Sequence, residues 1–273
     1  GLMYGSYRKP RELVWIFGCA IFLLLMAEAF MGYLLPWGQM SYWGAQVIIN
    51  LFSAIPVIGN DLSIWLRGDY VIGDATLNRF FSFHVIAVPL VLIGLVAAHI
   101  IALHEVGSNN PDGVDIKKHK DPKTGIPLDG IPFHPYYTVK DIVGVVVFLI
   151  CFSAVVFFAP EFGGYFLEYN NFIPADPLKT PSHIAPVWYF TPFYSILRAN
   201  TVNFFWIDAK LWGVIFMGLS VMIFFLLPWL DRSPVKSIRY RGPIYKAALT
   251  IFIIAFLNLG YLGVQAPTPM GTL

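Results

Sequence analysis

The chain has 273 residues, 57% hydrophobic and only 12% charged, with a net charge of +2 and a mean hydropathy of +0.66. So little charge cannot keep the surface of a soluble domain of this length hydrated. The composition therefore excludes an ordinary water-soluble enzyme, calls for an outer surface that faces membrane lipid, and suggests no nucleic-acid partner.

In chain order, the opening stretch at residues 1–10 is tight and polar, lacks a starting Met and any signal-peptide pattern, and reads as the exit from an earlier span. Residues 13–35 form the first stretch long enough to cross a bilayer, with Glu28 as its one charged residue. In lipid it must be helical, because no water is present to satisfy open backbone groups. Gly18 and Gly32 lie fourteen positions apart on it, within about 40° of four full turns. Both therefore share a face, where missing side chains admit either a flat macrocycle or a neighbouring helix. Within residues 36–79, residues 41–52 are apolar and aromatic but too short to span. They read as a helix lying in the interface or folded back as a hairpin.

Residues 80–103 form a second span, and His84 and His99 lie on it fifteen positions apart. At ~100° and ~1.5 Å per residue they sit within about 60° of each other and ~22 Å apart along the axis. Neutral imidazole is a good axial ligand for haem iron, so two haems, one towards each face, are one reading. Two hydrogen-bonding histidines, or a proton path through His84, His99 and Glu28 in a transporter, are the others. Residues 142–159, 211–230 and 247–263 complete five spans. The connection at residues 160–210 holds Pro160, Pro174, Pro177, Pro181, Pro186 and Pro192 among crowded aromatics. It reads either as an aromatic belt or as a loop built around a small-molecule pocket. Cys19 and Cys151 fall in apolar spans and read as small buried side chains.

Five spans place alternate loops on opposite sides. One side carries Arg8, Lys9, Arg11, Lys117, Lys118, Lys120, Lys123, Lys140, Arg232, Lys236, Arg239, Arg241 and Lys246. The other carries only Arg67, Arg79, Lys179, Arg198 and Lys210. The richer side is therefore the inner, cytoplasmic one. The last residues, 265–273, follow the final span without a polar tail, and both ends suggest a piece of a larger chain.

Ordered motifs then point to a family. The run GYLLPWGQMSYWG at 32–44, NLFSAIP at 50–56, RFFSFH at 79–84, HEVGSNNP at 104–111, FHPYYTVKD at 133–141 and PVWY at 186–189 resemble, in sequence order, the cytochrome b of quinol:cytochrome c oxidoreductases. The resemblance covers essentially the whole chain and implies an all-α polytopic membrane helix bundle, supplying the third to the seventh of eight spans. It implies a haem-binding half-bundle at residues 1–104, an inner loop at 105–140 and a C-terminal membrane domain at 141–273. It implies two b-type haems, with His84 and His99 as iron ligands, Gly18 and Gly32 beside the macrocycles and Arg79 on a propionate. The opposite ligands would come from N-terminal haem-binding helices outside this sequence. Without them the chain would be an incomplete, non-catalytic fragment.

The same resemblance implies an outer quinol-oxidation site with Tyr33, Pro36, Trp37, Pro186, Trp188, Tyr189 and Tyr194. It implies an inner quinone-reduction site with His104, Ser108, Lys140 and Asp141, and ubiquinol and ubiquinone as substrates. Implied partners are a Rieske-type iron–sulfur protein, a cytochrome c-type subunit, a second copy of the complex, and lipid. A bacterial inner membrane is expected over a mitochondrial one, because of the insert at residues 114–130 and the valine motif.

Two departures matter. The interval between the histidines is one residue longer than in the family, and Pro89 is expected to absorb the extra residue by a kink or local unwinding. The family's Pro-Glu-Trp-Tyr motif appears with Val187 in place of glutamate. Since valine cannot accept a quinol proton, Glu28, a lone carboxylate in a span and about two turns before Pro36, is the expected substitute.

Overall fold

The computed structural model describes residues 1–266 and Thr268; the rest of the C-terminal stretch lies outside the described residues. Helix α1 (Glu12–Leu34) is followed by α2 (Gln39–Phe52) and α3 (Gly59–Arg67). Next come α4 (Asp74–Ser82), a π-helical turn (Phe83–Ala87) and α5 (Val88–Val106), which together form one long span. Helices α6 (Tyr136–Phe158), α7 (Thr191–Ala199), α8 (Ala209–Leu230) and α9 (Pro243–Val264) complete the set. The all-α class and five spans agree with the sequence reading, and five helices are long and apolar enough to cross a membrane. The protein is a multi-pass helical membrane protein.

The core gathers at the outer end. Leu34, Tyr42, Ala45, Ile49, Ile72 and Phe80 form one buried cluster, with Phe30 and Trp37 packed around it. Tyr42, Ala45 and Ile49 recur at helical spacing on one face of α2. Helix α2 therefore packs one face against α1 and the surrounding core. Its turn into α3 brings the chain back beside it, as a hairpin would.

The outer connection at residues 160–190 is held down by main-chain pairing. Gln39 N–H donates to the Ile173 carbonyl at 2.8 Å, and Ala175 N–H donates to the Trp37 carbonyl at 3.0 Å. These bracket an antiparallel bridge between Gly38 and Pro174. Asn171 presses on Gly38 where a Cβ would lie, so any side chain at that position would break the pairing. Asn171 Oδ1 also accepts from the Ser41 backbone N–H at 2.8 Å and from its hydroxyl at 3.0 Å. Gln39 completes the clamp, donating to the Lys179 carbonyl at 2.5 Å and accepting from Asp176 N–H at 2.7 Å.

Helices α7, α8 and α9 make a second packing unit, in which the Ser195 hydroxyl donates to the Leu259 carbonyl at 2.6 Å and Arg198 donates to the Leu262 carbonyl at 2.7 Å. Helix α6, in contrast, is exposed along nearly its whole length, and Cys151 on it is exposed rather than buried. Its apolar face suits lipid or neighbouring spans, where burial comes from outside the chain.

On the inner side, Asp231 follows the last residue of α8 and ties three segments together. It accepts from the Tyr7 hydroxyl at 2.6 Å and from Arg241 Nη2 at 2.5 Å, and both acid and guanidinium are nearly buried. Burial pushes the Asp231 carboxyl up, but the bonds from Arg241 and Tyr7 outweigh it and hold the group below its usual range. Removing the carboxylate with Asp231→Ala leaves Arg241 buried without its partner. We expect a loss of roughly 3–5 kcal/mol, read as a lower unfolding midpoint in detergent. Because the folded-state value is depressed, this contribution is present above the ordinary carboxylate pKa and disappears as pH falls through the folded value. An acid titration of stability should show that loss in wild type and not in Asp231→Ala.

Candidate functional site

Helices α1 and α5 pack against each other with their glycines and histidines in register. The His99 ring faces Gly18, with Cε1 3.4 Å from where a Cβ would stand, and the His84 ring lies on Gly32, with Cε1 only 2.5 Å from that point. Fifteen residues of ideal helix overshoot four turns by about 60°, whereas the fourteen between the glycines fall about 40° short. The π-helical turn removes the mismatch. Val88 N–H reaches back five residues to the Phe83 carbonyl, so one residue is looped into a wider turn. The remaining interval then matches that of the glycines. The unwinding thus sits immediately before Pro89, and the missing N–H of Pro89 leaves no regular bond to be broken there.

Haem suits this geometry on the protein's own atoms. His84 Nδ1 lies 3.0 Å from the Glu28 carbonyl and 3.0 Å from Glu28 Oε1. A proton on Nδ1 shared with Glu28 leaves the Nε2 lone pair free for iron, the orientation that second-shell acceptors usually impose. His99 Nδ1 is buried without a hydrogen-bond partner among the described residues. Arg79, expected on a propionate, is exposed at the outer end and donates to the Trp65 carbonyl.

A cavity of about 290 Å³ opens between α1, α2 and the outer loop. Met26, Phe30, Tyr33, Phe52, Pro186, Val187, Phe190 and Tyr194 are among its walls. Of the residues expected at the outer site, Tyr33, Pro186 and Tyr194 therefore come together. Pro36 is exposed, Trp37 packs edge-on against Tyr42 in the core, and Trp188 and Tyr189 are exposed enough that neither lines the cavity. Tyr189 remains within electrostatic reach of Tyr33.

Glu28, expected as the substitute for the missing motif glutamate, sits beside a histidine. Its carboxylate points at His84, on the α5 side of α1, and takes no part in lining the cavity. Sequence reasoning missed Glu168 instead. Tyr33 donates to Glu168 Oε2 at 3.1 Å. Burial pushes the Glu168 carboxyl above its usual range, opposed by the Tyr33 bond and by nearby His183. An acid in an aromatic, proline-rich loop was the available signal.

The residues expected at the inner site stay apart. His104 and Ser108 are exposed at the end of α5, where the Ser108 carbonyl accepts from Arg11 at 2.8 Å. Lys140 and Asp141 are exposed on the first turns of α6, and no hydrogen bond or ion pair joins the two pairs among the described residues. A second cavity, of about 630 Å³, lies between α1 and the α7–α9 unit and reaches Gly18 and His99.

Paired histidines on one span, glycines beneath them on the next and an aromatic cavity at the outer end fit a multi-pass membrane protein of electron transfer. The family model described as "Cytochrome b(N-terminal)/b6/petB" matches residues 1–192, and "Cytochrome b(C-terminal)/b6/petD" matches residues 174–273. The chain belongs to the cytochrome b family. It is 60% identical to cytochrome b of Allochromatium vinosum, with 100% of this chain and 66% of that protein covered. It is 54% identical to cytochrome b of Rickettsia bellii, with 97% and 61% covered. A chain of a solved "Hyperthermophilic respiratory Complex III" superimposes with a TM-score of 0.87 at 39% identity, covering 100% of this chain and 67% of that one. The chain thus spans 66% and 61% of the length of these two cytochromes b.

The two glycines differ in a testable way. A methyl at Gly32 must displace the His84 ring, while one at Gly18 meets His99 at an ordinary contact distance. Gly32→Ala should lower stability by roughly 1–3 kcal/mol and Gly18→Ala by well under that, compared by unfolding midpoints of the purified proteins.

Proposed function

We propose that the chain is the third-to-seventh-span portion of the cytochrome b of a bacterial quinol:cytochrome c oxidoreductase, the catalytic, proton-translocating membrane subunit. The observation that carries the reading is the register of His84 over Gly32 and His99 over Gly18 on adjacent spans. His84 would hold one b-type haem near the outer face and His99 another near the inner face, with opposite ligands from N-terminal helices beyond this sequence. When bound, the haems supply one-electron transfer across the membrane.

The protein's own residues bind and orient. The outer cavity is apolar enough to admit a quinone ring, with Tyr33 and Tyr194 as its hydroxyl groups and Pro186 and Val187 as its wall. Tyr189, Trp188, Pro36 and Trp37 would complete that site in the assembled protein, and Arg79 would hold a propionate. Ubiquinol is oxidised there, giving one electron to a Rieske-type iron–sulfur protein, which passes it to a cytochrome c-type subunit. The other electron crosses to the inner side, where His104, Ser108, Lys140 and Asp141 would serve ubiquinone reduction once neighbouring spans assemble around α6. The excess of basic residues on the inner loops supports that side facing the cytoplasm of a bacterial cell. A second copy of the complex and surrounding lipid would cover the exposed spans.

The test is a dithionite-minus-ferricyanide difference spectrum of the complete membrane protein. Wild type should show two b-type haems. His84→Ala and His99→Ala should each lose a different one, with the fold retained. A spectrum with no haem in wild type overturns the reading.

A further inference from the structure

We propose that Glu168 is the proton acceptor serving the outer cavity, taking a quinol proton through the hydroxyl of Tyr33. The proposal rests on that cavity being the quinol-oxidation site and supplies the acid that Val187 lacks.

Among the described residues lining the cavity there is no Asp, Glu, His, Lys or Arg, so the side chains there that can pass a proton on are hydroxyls. Three side chains offer one. Ser41 donates to Asn171 Oδ1 at 3.0 Å, and Tyr194 donates to the Ile184 carbonyl at 3.3 Å. Both end on neutral acceptors that cannot keep a proton at physiological pH. Tyr33 alone leads to a titratable group, Glu168 Oε2 at 3.1 Å. Glu168 is partly exposed on the outer loop, so a proton taken there has a way to water on the side where quinol oxidation releases it.

The transfer balances without any new reactant. The quinol O–H bond breaks and its proton goes to Tyr33 Oη, as the phenolic proton of Tyr33 passes to Glu168 Oε2. Tyr33 is neutral before and after. Glu168 becomes a carboxylic acid and then releases its proton to outer water. The second quinol proton follows the same route once Glu168 has released the first, and the two electrons would leave one to the iron–sulfur partner and one to a haem held by His84.

The surroundings suit the role. Burial raises the affinity of Glu168 for a proton, and of the groups facing it His183 opposes that rise, as does the donated bond from Tyr33. Tyr189 lies next along, within electrostatic reach of Tyr33. A general base is most effective when its pKa approaches the working pH. The loop that carries Glu168 is the one pinned by the Trp37–Gln39 pairing, so its distance to Tyr33 is set by main-chain bonds.

The experiment measures quinol-dependent reduction of a c-type cytochrome by the complete complex across pH, with haem content read from difference spectra of the same samples. Glu168→Gln should slow quinol oxidation about ten-fold or more, with both haems present. It should also remove the fall in rate that wild type shows as acid protonates the carboxylate. Glu168→Asp should restore part of the rate and the acid limb. Tyr33→Phe should match Glu168→Gln, and the double variant should be no slower than the slower single one. Glu161→Gln, another acid of the same loop, should leave rate and profile unchanged. An unaltered rate and pH profile in Glu168→Gln overturns the proposal and leaves the cavity reading standing. A wild-type complex that holds both haems but oxidises no quinol overturns the cavity reading itself.

Discussion

The outer half of this protein depends on two main-chain hydrogen bonds. Trp37 and Gln39 pair with Ala175 and Ile173, segments separated by more than a hundred residues in sequence and by two spanning helices. Each such bond is worth only about 0.5–1.5 kcal/mol net, yet everything around them presupposes their geometry. Gly38 is the one residue that lets Asn171 approach, and Asn171 in turn holds Ser41 at the start of α2. From this clamp the loop runs one way to Glu168, beside Tyr33, and the other way to Pro186 and Val187 on the cavity wall. A loop of this length on a membrane protein would otherwise be free to lie anywhere in the headgroup region. The clamp turns it into a lid of fixed height.

A second constraint acts along the bundle. A flat cofactor between helices needs missing side chains and ligating ones at matched heights and angles. α1 supplies the first at an interval of fourteen residues, and the span formed by α4, the π-helical turn and α5 supplies the second at fifteen. The π-helical turn Phe83–Ala87 reconciles the two. Such turns leave the hydrogen-bond ladder continuous but shifted, which is tolerable in lipid because no backbone group is abandoned. Pro89 favours the position, since it has no N–H to place in the ladder.

Charge in this chain is rare and correspondingly informative. Glu28 and Glu168 are both partly buried acids towards the outer end of the molecule, yet their partners differ in kind. Glu28 faces an imidazole and orients it; Glu168 faces a hydroxyl that lines a cavity. On the inner side Asp231 gathers Tyr7 and Arg241, joining the start of the chain to the end of α8. Basic residues concentrate in the loops at one end of the spans, and a few buried pairs such as Arg241 with Asp231 tie those loops together.

The amino-acid sequence alone determined the class and the five spans, and it marked the loops rich in Lys and Arg and the two histidines within one span. Those depend on local quantities: runs of apolar side chains, the count of Lys and Arg per loop, and the angle per residue of a helix. It also carried enough ordered motif to point to the family. Only the tertiary structure decided which side of α1 each residue serves. Glu28 and Tyr33 are five positions apart, and along a helix that is enough to turn one towards His84 and the other into the cavity. Nor could local pattern place Glu168 beside Tyr33, because their contact spans 135 residues and depends on the pairing at Gly38. His104, Ser108, Lys140 and Asp141 show the opposite limit. Their motifs are plain in the sequence, but α6 packs on little among the described residues, and no hydrogen bond or ion pair there joins the two pairs.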